Sequence, residues 1–364
     1  MSTYPEHLLP FLPFIPSDLI SAECLRKILS VTQGLPAALG VGPFMFECSL
    51  DDRPTADFSV AAFASRGDHV TLSKPNLAEI EAARFGNPGW SQILQFANSW
   101  SSVSSALNAV EEIWLEFDVC LTMGTPDNTP SVFFRLEYQS GQENELRGRS
   151  YQEYLHAAKD GLDILTGGAI SSETLSLLAE CLSSLPVGGR ILFLGAMISR
   201  AGGPVRVVAS RLDLKDLIQY LRRLGLRETI GQLALIAEIS DLTDHLWLAI
   251  DLDEKGVTPR IGFDCYRENA SPSEGTRQWE DFLSLLVEKG VCTDHKRTAL
   301  LRAADLSVRE FDEITWPQSV LKIAKLLGPT GFDRLDLSIH HIKVIDRPNL
   351  PLEAKAYLCG SYKW

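Results

Sequence analysis

From residue 44 onward, apolar and polar residues repeatedly alternate, pass through a turn-rich stretch, and alternate again. Successive side chains on a strand point to opposite faces, so each such pair of segments predicts a β-hairpin with one apolar face. Five hairpins are expected. The first pairs 44–50 with 57–63, and the second pairs 113–119 with 131–138 past Gly124-Thr125-Pro126-Asp127-Asn128. The third pairs 190–197 with 205–210, the fourth 246–252 with 260–266, and the fifth 337–345 with 353–357. Between them, apolar residues at three-to-four spacing predict helices within 77–110, 151–185, 214–239 and 279–301. A helix over 21–32 opens the chain, with Ser17-Asp18 as its caps.

The two faces of these strands differ in chemistry. In the second hairpin Ile113, Leu115, Phe117 and Val119 share one face, and Trp114, Glu116 and Asp118 share the other. In the fourth, Leu246, Leu248, Ile250 and Leu252 oppose Trp247, Ala249 and Asp251. Each hairpin thus offers an apolar face to helices. The opposite face mixes charges with Trp114, Phe133, Trp247, Tyr266 and Tyr357. An open sheet would leave that face in water, whereas a closed barrel would make it a lumen. Solvated faces rarely carry so many large rings, which favours the barrel. The expected fold class is α/β: a ten-stranded antiparallel β-barrel of five hairpins surrounded by helices, as a single domain over residues 1–364.

Composition narrows the function classes. A net charge of −13 repels nucleic acid and anionic lipid, and the basic step Arg222-Arg223 reads as a solvated helix face. The chain has no apolar run of about 18 residues. Its apolar N-terminal stretch is broken by Pro10, Pro13 and Pro16 and lacks a basic leader. No nucleic-acid partner, membrane span or signal peptide is therefore expected. The seven cysteines are widely spaced with no Cys-x-x-Cys, and read as reduced, core-filling thiols of a cytoplasmic protein.

Familiar catalytic motifs are missing: no G-x-S-x-G elbow, no P-loop, no G-x-G-x-x-G. His340 and His341 are adjacent on a strand, so they are expected on opposite faces, with His341 on the lumen side. Glu116 and Asp118 share a face, near enough to raise one pKa, with Arg135 as the expected structural partner.

The first-strand segment Phe46-Glu47-Cys48-Ser49 and the return-strand steps Lys355-Ala356-Tyr357, Arg206 and Asp264-Cys265-Tyr266 carry a resemblance. They fall on the strands where the αββα, or PT-barrel, aromatic prenyltransferases have a Glu-x-Ser segment and Lys-x-Tyr steps. The chain resembles the bacterial indole prenyltransferases related to dimethylallyltryptophan synthase, as a divergent form. The resemblance implies natural-product chemistry in the lumen. An allylic diphosphate would be held by lumen cations such as Arg206, Lys343 and Lys355. Tyrosines such as Tyr266 and Tyr357 would screen the cation formed on ionisation. Glu47 would orient an aromatic or peptide acceptor and take up its proton. Trp114, Arg135 and Trp247 complete the expected substrate-binding set.

The diphosphate site nonetheless reads as depleted. Asp57, Phe133, Val208 and Asp264 stand where the family places cations, and Arg135 stands where it places a tyrosine. A unit charge at about 4 Å is worth roughly 4 kcal/mol at an effective dielectric near 20, so a lysine-to-aspartate exchange is a swing of about 8 kcal/mol. No cofactor is expected, and Mg²⁺ enters only as a compensating ion. Three readings follow. One is a prenyltransferase with an altered donor site. Another is a barrel for acid–base cyclisation or isomerisation, with Glu116, Asp118 or Asp264 as the acid. The third is a barrel that only binds a small molecule or peptide. A basic lumen cluster favours transfer; an acidic or salt-bridged lumen favours the others.

Overall fold

In the computed structural model, residues 3–73, 88–119, 129–141, 150–200, 203–226, 233–267, 272–304, 306–308, 316–327 and 334–363 are described. The turn of the second hairpin at 124–128, Cys120 and residues 77–87 of an expected helix lie outside them.

The hairpins form as β1 (Phe44–Ser49) with β2 (Ala56–Phe63), β3 (Glu112–Phe117) with β4 (Ser131–Gln139), and β5 (Arg190–Ala196) with β6 (Val205–Ser210). They continue as β7 (His245–Asp253) with β8 (Gly256–Tyr266), and β10 (Arg334–Asp346) with β11 (Glu353–Lys363). A short strand missed by the alternation, β9 (Leu306–Val308), hangs on β10. From β1 to β8 each strand pairs antiparallel with the next, β8 pairs with β10, and β11 pairs with β1 from Phe44↔Gly360 to Ser49↔Lys355. That last ladder closes ten strands into a ring, leaving β9 outside it. This is the αββα barrel expected from the resemblance.

Closure fixes the two environments. Phe44, Phe46, Phe58, Phe117 and Phe134 point outward and are fully buried beneath the helices. Phe11 stands edge-on to Phe44 at 4.8 Å, and the Tyr362 hydroxyl donates to the His7 carbonyl at 2.7 Å. These contacts tie the N-terminal helix Tyr4–Leu8 to the closing strand.

Helix ends follow local chemistry. Helix Ala22–Thr32 is capped by Ser21, whose hydroxyl accepts from the Cys24 amide, and not by Ser17-Asp18. Ser21 is the residue next to the first helical turn, so its oxygen alone reaches the orphan amides. Helix Tyr151–Leu165 begins with a reciprocal Ser150/Glu153 box. It ends at Gly167-Gly168, whose positive φ of 66° and 77° separates it from helix Ser172–Ser183. No described helix is long and apolar enough to cross a membrane. Among the described residues six cysteines are free thiols, and all but Cys359 are buried.

The closing ladder is crowded at Gly360. A Cβ there would lie 2.2 Å from the Phe44 ring, which is itself wedged between Phe11, Phe46 and Phe58. Gly360→Ala is expected to destabilise the chain by about 1–3 kcal/mol, read as a lower urea midpoint with an unchanged slope.

Candidate active site in the barrel lumen

The inward faces of the strands enclose a cavity of about 360 Å³. Strand alternation delivers its walls: Trp114 and Glu116 from β3, Phe133 and Arg135 from β4, and Trp247 from β7. Asp264 and Tyr266 come from β8, Lys343 from β10 and Tyr357 from β11. The other residues expected at the site, Glu47, Arg206 and Lys355, do not line the open cavity.

One wall is aromatic. Trp247 and Tyr266 have ring centroids 4.2 Å apart, His341 stacks on Tyr266 at 4.8 Å, and Tyr357 stacks on His341 at 3.9 Å. Phe193 extends the series beyond Trp247 at 6.4 Å. Such rings hold flat apolar molecules and attract positive charge to their faces.

The lumen cations are held by carboxylates, mostly across the strand ladders. Arg206 makes a two-pronged pair with Asp251, its cross-strand neighbour, at 2.6 and 3.0 Å, and both are buried. Arg260 shares Asp251 at 3.4 Å. Burial, and then repulsion from Arg206, pull the Arg260 guanidinium down to about 10. Lys343 lies 3.0 Å from Asp264, again its cross-strand neighbour. Gly262 on β8 leaves room for this lysine, since a Cβ there would sit 2.9 Å from Lys343 Cε. Lys355 pairs with Glu47 at 2.5 Å and Asp57 at 3.5 Å.

Glu47 is accordingly an ion-pair member. Burial alone would raise its pKa, but Lys355, with Lys343 and the Tyr357 hydroxyl, holds it at about 2. A carboxylate so strongly stabilised is a poor proton acceptor near neutral pH.

Two sequence expectations are corrected here. Arg135 does not pair with Glu116 or Asp118. It is ringed by Glu137, Glu111 and Glu112, which reach it from its own strand and from the start of β3. Asp118 is taken by Arg200 at 2.6 Å and by the Ser199 hydroxyl at 2.7 Å. The second correction concerns the histidines. A β-bulge between Ile339 and His341 shifts the register, so His340 and His341 both line the cavity. Alternation could not reveal this, because a bulge adds a residue without a sequence signature of its own.

Glu116 stands apart. Among the described residues its carboxyl has no hydrogen bond or ion pair, although it faces the cavity. Burial, then the negative field of Glu47, raise its carboxyl to about 7 despite Arg206 and Lys343. A cavity-lining carboxyl held there is poised to exchange a proton near neutrality. Among the described residues no three His, Cys, Asp or Glu side chains converge on one point.

No family model and no curated protein matches this chain. Among solved structures, it is similar to PriB in its binary complex with diphosphate, at 13% identity and TM-score 0.48, covering 98% of this chain and 96% of that one. It is also similar to AnaPT from Neosartorya fischeri, at 12% identity and TM-score 0.49, covering 99% and 91%. A third is 5-dimethylallyl tryptophan synthase from Streptomyces coelicolor in complex with DMASPP and tryptophan, at 13% identity and TM-score 0.45, covering 98% and 95%.

The raised Glu116 carboxyl has a stability consequence. The folded chain holds this proton more tightly than the unfolded one, so its contribution is greatest below pH 4.5 and is lost as pH rises to about 7. Glu116→Gln removes that dependence. The difference in unfolding free energy between parent and variant should move by about 3 kcal/mol in the variant's favour between pH 4.5 and 8. Urea unfolding at several pH values measures it; a pH-independent difference would contradict the raised carboxyl.

Proposed function

We propose that the lumen binds a small, neutral or cationic, largely aromatic molecule and that Glu116 performs acid–base chemistry on it, as a cyclase or isomerase. The observation that supports this reading is the division of the lumen charges. Arg206, Arg260, Lys343 and Lys355 each have a carboxylate partner, while Glu116 has none among the described residues. A diphosphate would have to displace those carboxylates, and stripping one partner from a buried pair costs about 3–5 kcal/mol.

The chemistry is redox-neutral. Glu116 in its acid form gives its proton to a carbon–carbon or carbon–nitrogen double bond of the substrate. The resulting cation lies beside the stacked wall of Trp247, Tyr266, His341 and Tyr357, whose ring electrons favour positive charge. An internal nucleophile closes on the cation, or the cation loses a neighbouring proton, and the Glu116 carboxylate recovers the proton. A carboxyl near pKa 7 can act in both directions at neutral pH.

A second reading is aromatic prenyl transfer from an allylic diphosphate to an indole-type or peptide acceptor. One observation favours it: Lys343 Nζ lies 5.8 Å from the centre of the Tyr357 ring, the kind of cation-and-tyrosine pairing that an allylic diphosphate would use. Under this reading Glu47 serves the acceptor, and Mg²⁺ would have to offset the depleted cations.

Incubation with dimethylallyl and geranyl diphosphates, a panel of indoles and Mg²⁺ separates the readings. We expect no prenylated product by mass and no thermal shift from either diphosphate; product formation that is lost in Glu47→Gln would overturn the first reading. Removing the competing carboxylates should restore anion binding. Asp251→Asn combined with Asp264→Asn is expected to tighten inorganic pyrophosphate binding at least about tenfold by calorimetry, since each freed cation is worth roughly 4 kcal/mol at 4 Å.

A further inference from the structure

The bulge on β10 brings two histidines together in an unusual way. His341 is clamped between the Tyr266 and Tyr357 rings at interplanar angles of 26° and 17°, and is 7% exposed. His340 meets Tyr266 edge-on at 5.5 Å and is open to the cavity. Their Nδ1 atoms lie 2.8 Å apart. Two ring nitrogens at that distance share one proton, so one donates and the other accepts.

The far side of His341 decides which. Its Nε2 faces Asp264 Oδ1 at 4.0 Å, beyond hydrogen-bond distance, and the negative field of that carboxylate favours a proton on Nε2. Burial, then the neighbouring His340 and Lys343, keep His341 from taking a second proton. Its Nδ1 must then accept, and His340 Nδ1 must donate. The remaining nitrogen of the exposed ring, His340 Nε2, is left as a bare acceptor with no hydrogen-bond partner among the described residues.

We propose that His340 Nε2 is the acceptor that recognises an aromatic N–H or O–H donor in the lumen, with His341 and Asp264 as positioning residues that fix its tautomer. This rests on the reading that the lumen receives a small aromatic molecule. It adds the polar contact that the aromatic wall lacks: rings fix the plane of a flat ligand, and a directed acceptor fixes its rotation within that plane.

Imidazole ¹⁵N NMR of the full chain, free and with indole or 1-methylindole as probes, tests it. In the free protein His340 should be the Nδ1–H tautomer and His341 the Nε2–H tautomer; the reverse assignment overturns the proposal and leaves the lumen reading intact. Indole should shift the His340 Nε2 resonance. The 1-methyl compound, which has the same ring without a donor, should leave that resonance in place and bind about fivefold more weakly, the loss of one hydrogen bond. Equal affinity for the two probes overturns the recognition role. If neither probe perturbs any lumen resonance, the lumen reading falls and this role with it. His340→Phe should abolish the discrimination, whereas His340→Gln, which keeps an acceptor, should retain part of it. Full discrimination in the Phe variant would count against the proposal.

Discussion

Closing a barrel around charged side chains obliges them to neutralise one another. A lone charge moved out of water loses several kcal/mol even after relaxation, so an enclosed lumen tolerates ions chiefly as hydrogen-bonded pairs. Here the pairing is built into the ladders. Arg206 and Asp251 are cross-strand neighbours, as are Lys343 and Asp264, while Lys355 reaches Glu47 and Asp57 from β11. The register that closes the sheet therefore also sets the charge pattern inside it. Glu116 falls outside that pattern, and burial, then the negative field of Glu47, make its carboxyl hold its proton.

That arrangement bears directly on what the lumen can do. The same number of cations left unpaired would make a diphosphate cradle; paired, they make a wall of nearly neutral polarity. Beside it runs the stack of Trp247, Tyr266, His341 and Tyr357. A flat molecule with little negative charge suits this space, and a positively charged intermediate suits it better still. Under the proposed acid–base reading, proton transfer from a neutral acid creates such an intermediate without a leaving anion.

Much of the fold was legible in the sequence because its signal is local. Period-two alternation marked all five hairpins, and the inward faces of Trp114, Trp247, Tyr266 and Tyr357 followed from it. The ends of strands were less legible. β11 continues to Lys363, well past the alternation that ends at Tyr357, because pairing with β10 and β1 sustains it. Site electrostatics were legible only as residue types. Which carboxylate meets which cation depends on register between strands far apart in sequence, so Arg200 was not foreseen as the partner of Asp118, and Arg135 was assigned to the wrong acids. The histidine pair was hidden for another reason: a single extra residue at the bulge reverses the face of everything before it.

Glu116 titrates near neutrality because burial, then the negative field of Glu47, raise its carboxyl while the lumen cations are paired with other acids. Carboxyl-detected NMR of selectively ¹³C-labelled glutamate, assigned with Glu116→Gln, measures this without assuming any substrate. The midpoint is predicted at about 7 for Glu116, with Glu47 ionised down to about 2. A Glu116 midpoint at the ordinary glutamate value, or a Glu47 that titrates above it, would contradict the account.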